Sequence, residues 1–352
     1  MKFSAKCVCG SQMFEVFTLP KLPVCKPEAK PVDQQFLHCT RCGHGKLGTV
    51  VPPETLYDGY AATSASAGST AGVVNFAAFV KKHCGDFDIV VDIGGNDGSL
   101  VALFEGDSVC IDPNTSSGIR DYIENVDLGF LNGEKKLILS SHTLEHIDDP
   151  EKVFAKLAEV MDAGDIGAFQ FPSLERLISD CRIDQIYHEH IHYYSLRSVS
   201  TLLAKYGFEI TAHDFDPMHY GALQIVFRKG TPSVQGEVIE KKSIIRANLM
   251  FRNAAWALND RLEKLEPIGY GASQMLPLLL YHLPALHRLK YIMDEDAAKH
   301  GSYHGFEVRP VEDVEGKTVM VTAFNTKMAV RKIAAKLFAA NAAEVIVPFN
   351  FL

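Results

Sequence analysis

Ile89-Val90-Val91-Asp92-Ile93-Gly94-Gly95-Asn96-Asp97-Gly98 joins an apolar, β-branched run to a glycine-rich turn, the pattern of a buried strand feeding a ligand loop. Gly94, Gly95 and Gly98 let the backbone turn tightly and come close to a ligand. Leu100, Val101, Leu103 and Phe104 then predict a helix whose N-terminus faces the loop. Val109-Cys110-Ile111-Asp112 reads as a second buried strand ending in a carboxylate, where doubly wound folds hydrogen-bond an adenosine ribose. Asp92, the turn, and Asp112 with Pro113 and Asn114 behind it therefore predict a nucleoside cofactor. Asn96 stands where the G-x-G-x-x-G fingerprint has its second glycine, so NAD is the weaker choice. An ordinary strand-to-helix turn without ligand is the bland alternative.

The chain has 352 residues, 47% of them apolar, enough for two or three domains with separate cores. A formal charge of −8 without any Lys/Arg cluster argues against nucleic acid as a partner. The start, Met1-Lys2-Phe3-Ser4-Ala5-Lys6, lacks the apolar segment of a signal peptide, and the greasiest later run, Met275 to Leu286, is cut by Pro277 and Pro284. The expectation is a cytoplasmic protein, monomer or homodimer, with no membrane partner. Eight cysteines in a reducing compartment point to metal, not disulfides. Cys7-Val8-Cys9-Gly10 and Cys39-Thr40-Arg41-Cys42-Gly43 resemble two zinc knuckles, the first one residue short. Four thiolates close a structural Zn²⁺ site, with Cys25, His38 and His44 as possible substitutes and free buried cysteines as the alternative.

Domain boundaries follow from these signals: a zinc-binding module over 1–55, a cofactor-binding domain with a lid over 56–235, and a linking helix with a third lobe over 236–352. In the central part, strands are predicted at 88–93, 108–112, 136–141 and 167–171, with helices between them, implying a mostly parallel α/β sheet whose site lies at the strands' carboxyl ends. His142, Glu145 and His146 follow the third of these strands directly. Before it, Tyr57, Tyr60 and the small residues Ala61 to Thr70 form either a linker or a lid. A long helix over 236–265, with Ile239, Ile244, Ile245, Leu249 and Ala254 among its apolar positions, leads to a second glycine turn, Ile268-Gly269-Tyr270-Gly271-Ala272-Ser273. Later strands at 291–294, 318–322 and 344–347 make this lobe Rossmann-like as well, with loop amides suited to a pyrophosphate.

Tyr187-His188-Glu189-His190-Ile191-His192 admits three readings. It matches H-E-x-x-H, the zinc motif of metalloproteases, which needs both histidines on one uninterrupted helix. It also places three histidines at alternate positions, one face of a strand. The third reading is a general base, His190, with Glu189 or a second histidine holding its tautomer and Tyr187 donating to a developing oxyanion. Satisfied structural polar residues are the bland alternative.

Taken together, these blocks resemble the zinc-containing, S-adenosylmethionine-dependent sugar C-methyltransferases of deoxysugar biosynthesis, similar to the 3-C-methyltransferases of nucleotide-linked 4-keto-hexoses. The resemblance covers nearly the whole chain and rests on the cysteine knuckles, Asp92-Ile93-Gly94-Gly95-Asn96-Asp97-Gly98, Leu144-Glu145-His146, Tyr187-His188-Glu189-His190, Gly269-Tyr270-Gly271-Ala272-Ser273 and Val345-Ile346-Val347-Pro348. It implies a class I methyltransferase domain in the centre, S-adenosylmethionine bound by Asp92, Gly94, Gly95, Asn96, Gly98, Asp112, Pro113, Asn114 and His142, and a C-terminal Rossmann-like domain gripping a nucleotide-sugar through Tyr270, Gly271, Ala272 and Ser273. It further implies His190 as base with Tyr187, Glu189, His146 and Tyr60 around it, and zinc on Cys7, Cys9, Cys39 and Cys42. The chain departs from the family pattern at the C-x-C knuckle, at Gln170 in place of an acid, at Met275-Leu276-Pro277, and in the register of Tyr60. A different methyl acceptor, or a non-catalytic sugar-nucleotide-binding protein, are the alternatives.

Overall fold

In the computed structural model, residues 5–26, 29–57, 67–216, 221–324 and 327–349 are described. The chain runs β1 (Phe14–Leu22), β2 (Val32–His38), β3 (Gly45–Leu47), α1 (Pro53–Tyr57), α2 (Ala67–His83), β4 (Ile89–Ile93), β5 (Asp107–Ile111), β6 (Lys136–Ser141), α3 (Pro150–Val160), β7 (Ile166–Phe171), α4 (Leu174–Ser179), β8 (His192–Tyr193), α5 (Leu196–Lys205), β9 (Phe208–Asp216) and β10 (Ala222–Lys229). Then follow α6 (Lys241–Leu262), β11 (Ile268–Tyr270), α7 (Leu276–His282), β12 (Ile292–Met293), β13 (Gly301–Tyr303), β14 (Phe306–Arg309), β15 (Thr318–Val321), α8 (Lys327–Ala339) and β16 (Glu344–Ile346).

The central sheet has the order β5-β4-β6-β7-β10-β9, parallel from β5 to β7 and antiparallel at β10 and β9. Its first strands are apolar on both faces because both faces are covered. Val91, Ile93, Ile138 and Phe169 pack with Phe154, Leu157 and Leu203 on one side. Val90, Leu137, Leu139 and Ala168 pack with Phe76 and Val80 of α2 on the other. The strand order reverses between β4 and β6, and the crevice opens above Ile93 and Ser141 at the carboxyl ends of these strands.

The helix expected after the glycine loop is not formed. Only a 3-10 turn, Val101–Leu103, lies between Gly98 and β5. Eight residues from Ser99 to Gly106 are too few for a full crossover helix, and Leu100, Val101 and Phe104 instead fill the space beside Phe76 and Val80. Elsewhere the sequence signals hold more closely. Ser195 caps α5, accepting from the Ser198 amide at 3.1 Å, and Gly207 (φ +77°) lets the chain turn into β9.

The N-terminal strands form an antiparallel sheet completed by β8, with Gly45 opposite Tyr193 and Lys46 opposite His192. This sheet is absent from the sequence reading. Its core joins Leu22, Phe36 and Leu47 to Leu177, Ile183, Ile186 and Tyr193, and to Ile244, Ala247 and Phe251 of α6. Of the apolar positions read along α6, Ile244 is buried, whereas Ile245 and Leu249 face outward with Trp256. The C-terminal sheet, β13-β14-β12-β11-β15-β16, is parallel except for β13 and reverses its strand order beside β11. No helix among the described residues is long and apolar enough to cross a membrane.

Between α4 and β8 the chain has almost no regular structure, and a buried ion pair sets its path. Arg182 Nε and Nη2 donate to Asp184 Oδ1 and Oδ2 at 2.7 and 2.6 Å, with both side chains 2% exposed or less. Gln185 Nε2 adds a third donor to the same carboxylate at 2.8 Å. Removing one partner of such a pair strands a buried charge. Asp184→Ala should therefore lower unfolding stability by about 3–5 kcal/mol in urea titrations, and a midpoint within error of the parent would show that this pair does not hold the segment.

Candidate active site

One cavity of about 960 Å³ opens at the carboxyl ends of β4, β5 and β6. The glycine loop forms its floor. Gly94 (φ +73°) is required there, because a Cβ would lie 2.1 Å from Thr143 Oγ1, and at Gly95 a Cβ would meet Asp92 Oδ2 and Cys110 Sγ at 2.7 Å. Asp112 shapes the loop, accepting from the Asn96 amide at 3.2 Å and from Asn114 N at 2.7 Å. Asp92 is 1% exposed, its Oδ1 has no hydrogen-bond partner, and burial with Asp112 and Asp97 nearby pushes its pKa up to about 7. Acidic walls around an unpartnered carboxylate suit a cofactor that carries positive charge. Asp92, Gly94, Gly95, Asn96, Asp112, Pro113, Asn114 and His142 all line the cavity. Gly98 (φ +76°) stands behind them as the turn residue that closes the loop, its amide donating to Gly95 O.

The histidine segment forms the opposite wall. Tyr187 Oη and His190 Nε2 are hydrogen-bonded at 2.8 Å, and the two rings lie 4.3 Å apart. His146 Nδ1 donates to Glu189 O at 2.6 Å, and its ring meets His190 edge-on at 5.0 Å. Burial, then the nearby His146 and His142, lowers the His190 pKa well below its ordinary value, so the imidazole is neutral. Burial pushes the Glu145 and Glu189 carboxyls up to about 7. Glu145, which the sequence reading places near the chemistry without a role, sits 1% exposed between His142 Nδ1 at 3.3 Å and His146 Nε2 at 3.9 Å. The H-x-x-E-H spacing after β6 was the signal for it. Tyr60 lies outside the described residues.

Two readings of the histidine run end here. No helix covers 188–192, and its outer histidines are engaged in different directions. His188 bonds Gln34 Nε2 and Leu22 O, while His192 bonds His44 at 2.9 Å and Asp148 O at 3.1 Å. Neither the H-E-x-x-H site nor a three-histidine face exists, because each side chain found a partner on a separate element. Gln170, noted for its place in the pattern, is part of a neutral relay: Gln224 Nε2 donates to Gln170 Oε1 and Gln170 Nε2 to Ser141 Oγ.

The C-terminal lobe contributes Gln274, Met275 and Phe324 to the cavity wall. Tyr270, Gly271, Ala272 and Ser273 are placed just behind them, with Tyr270, Ala272 and Ser273 buried. The Ala272 amide donates to Asp294 Oδ2 at 2.6 Å, so one of the loop donors expected to meet a phosphate already holds a carboxylate. Sequence reasoning missed Gln274, Met275 and Phe324, which the docking of the C-terminal lobe brings in, and Arg182, which the irregular segment between α4 and β8 carries.

Away from the cavity, Cys7, Cys9, Cys39 and Cys42 converge with all sulfurs within 4.8 Å of one another. Cys7 and Cys42 approach to 3.4 Å and Cys9 and Cys39 to 3.5 Å, far beyond a disulfide bond. A tetrahedral Zn²⁺ with Zn–S of about 2.3 Å has sulfurs roughly 3.8 Å apart, so the donor set fits that ion. Cys25, His38 and His44 stand elsewhere: Cys25 lines the cavity, His38 bonds Ile239 O and His44 bonds His192.

Residues 71–213 match the family model of a methyltransferase domain, a stretch that holds the glycine loop and the strands from β4 to β8. Among curated proteins, the C-methyltransferase NovU of Streptomyces niveus is 25% identical over 209 residues, 53% of this chain and 49% of that one. The chain thus spans about half the length of this relative. Among solved structures, a SAM-dependent methyltransferase of Thermotoga maritima aligns at 14% identity over 45% of this chain and 88% of its own, with a TM-score of 0.36. The CcbJ methyltransferase from Streptomyces caelestis aligns at 9% identity over 49% and 99%, also with a TM-score of 0.36.

The buried groups set the pH dependence of stability. Burial lowers His142 to about 4, His192 to about 3 and His282 to about 4, and holds His190 and His44 well below their ordinary value. The unfolded chain protonates these side chains near pH 6.5, so stability is lost as pH falls from about 6.5 toward 4. Asp92, Glu145 and Glu189, raised to about 7, act the other way, losing stability as pH rises from about 4.5 through 7. The histidines prevail in acid. Unfolding midpoints should peak near pH 6.5 and drop toward pH 4.5; a midpoint that climbs on acidification would contradict neutral buried histidines.

Proposed function

We propose that this chain is an S-adenosylmethionine-dependent C-methyltransferase that acts on the carbon next to the ketone of a nucleotide-linked keto-deoxysugar. The carrying observation is that the hydrogen-bonded Tyr187–His190 pair and the Asp92–Gly98 loop line one cavity of about 960 Å³. Ligand sites usually measure about 300–1,000 Å³, so there is room for a cofactor and an acceptor together. The likeness to a C-methyltransferase supports carbon as the acceptor atom.

The bound cofactor supplies an electrophilic methyl group. Asp92, Asn96 and Asp112 orient it, with Asp112 placed for the ribose. A C–H beside a ketone is acidified because its enolate places charge on oxygen, where a donor such as the Tyr187 hydroxyl stabilises it. His190, neutral by burial, would take the proton; the enolate carbon would form the new C–CH₃ bond as the S–CH₃ bond of the cofactor breaks, its electron pair staying on sulfur to leave S-adenosylhomocysteine, and His190 would pass the proton on to solvent. His146 and Glu189 fix the segment through the bond from His146 Nδ1 to Glu189 O. Holding both reactants near contact supplies much of the remaining rate. Zn²⁺ on Cys7, Cys9, Cys39 and Cys42 would have no open position and would act structurally, tying Cys7 and Cys9 to the turn between β2 and β3 within the N-terminal module, residues 1–55, whose Val8, Met13 and Leu37 pack into the core of the catalytic domain, 56–235. The second Rossmann-like domain, 236–352, closes the acceptor side through Gln274 and Met275.

A second reading, a keto acceptor without a nucleotide, is favoured by the Asp294 carboxylate on the Ala272 amide, which repels phosphate at that loop. Product NMR on a panel of keto-sugars with and without nucleotide separates the two. His190→Ala should lose about 10²–10⁴-fold in turnover while calorimetry still detects S-adenosylhomocysteine; unchanged turnover would remove His190 from the mechanism. Metal analysis should find one tightly held zinc per chain, and Cys42→Ser should release it and lower the unfolding midpoint. A metal-free protein of unaltered stability would dismiss the structural zinc.

A further inference from the structure

A second donor set lies inside the cavity itself. Glu145, His146 and His190 each present one ligand atom within 4.8 Å of the others. They come from two separate parts of the chain, the 3-10 turn Leu144–His146 after β6 and the turn before β8, joined where Ile191 N donates to Glu145 O at 2.8 Å. We propose that Glu145, His146 and His190 form a binding site for one divalent transition ion, separate from the four-cysteine cluster.

Three features of the donors carry this. Both Glu145 oxygens are fully enclosed and accept no hydrogen bond, in a side chain 1% exposed. An enclosed carboxylate left without donors is costly, and a cation is the group that satisfies it. His146 is already arranged as a ligand: a backbone carbonyl can only accept, so Nδ1 carries the hydrogen bonded to Glu189 O, and the lone pair sits on Nε2, the atom 3.9 Å from Glu145 Oε1. Metal-bound histidines usually hold their other nitrogen in this way. His190 has Nε2 on the Tyr187 hydroxyl, while its Nδ1 is buried and unpartnered. Two imidazoles and one carboxylate suit Zn²⁺, Co²⁺, Mn²⁺ or Fe²⁺, and all three side chains line the cavity. His142 Nδ1 lies 3.3 Å from Glu145 Oε1.

The site has a consequence for the reaction, which rests on His190 being the base. A neutral imidazole has one basic lone pair. An ion on His190 Nδ1 forces the hydrogen onto Nε2 and leaves nothing to accept a substrate proton, so ion binding and base catalysis exclude each other. Free transition ions at this site are inhibitors, and a bound acceptor competes with them.

The test titrates the zinc-replete full-length protein with Co²⁺. One further equivalent should bind, with weak visible bands and without the intense thiolate charge-transfer absorption of a cysteine site. Glu145→Gln and His146→Ala should each weaken that equivalent by at least about tenfold while circular dichroism and the cysteine-bound zinc stay as in the parent. Absence of a second equivalent in folded parent protein, or one that survives both substitutions, overturns the site. Binding as expected in a protein that transfers no methyl group under any ion condition upholds the site and removes the base mechanism instead.

Discussion

The path of the chain from Arg182 to Tyr193 depends on the buried Arg182–Asp184 pair, and the site depends on that path. This stretch carries Tyr187, Glu189 and His190 yet has little periodic structure to hold it. Its shape comes from anchors at both ends. At the start the bidentate ion pair fixes the turn; in the middle His188 is tied to Gln34 and to Leu22 O; at the end β8 pairs with β3 and His192 bonds His44. Each anchor after the ion pair reaches the N-terminal sheet. That sheet is therefore part of the scaffold of the cavity wall, although none of its strands contributes a group to the Tyr187–His190 pair.

The four cysteines gain their meaning from the same connection. A three-stranded meander has a small core of its own, and Cys39 lies one residue beyond the end of β2, with its amide donating to His44 O. The cluster thus stands at the turn from β2 into β3, the strand that pairs with β8. One ion held by Cys7, Cys9, Cys39 and Cys42 would fix the strand ends, and the strand ends lead through β3 to the histidine segment. Burial then sets the chemistry of what is fixed: imidazoles become neutral and carboxyls become weak acids because the cavity wall keeps water from stabilising their charged forms.

The two parallel sheets meet the cavity unequally. In the central sheet the glycine loop leaves its carboxylates, Asp92 and Asp112, facing the open space. In the C-terminal sheet the equivalent loop turns its Ala272 amide onto Asp294, which follows β12, and its own residues retreat behind Gln274 and Met275. One lobe turns carboxylates to the open space, and the other shapes a wall.

The sequence by itself determined the central sheet, because β4, β5, β6 and β7 are apolar runs buried on both faces and the glycine turn between β4 and β5 has few other uses. It also pointed to Cys7, Cys9, Cys39 and Cys42 as one group and to 142–146 and 187–190 as candidate segments, and residues of both segments line one cavity. Only the tertiary structure decided which of those residues act together. Periodicity reports one element at a time, so it offered H-E-x-x-H where no helix exists, a crossover helix where eight residues are too few, and no N-terminal sheet at all. Whether His192 faces His146 or His44, or the Ala272 amide faces a ligand or Asp294, is set by the register between strands distant in the chain, and register is fixed by packing that no single stretch contains.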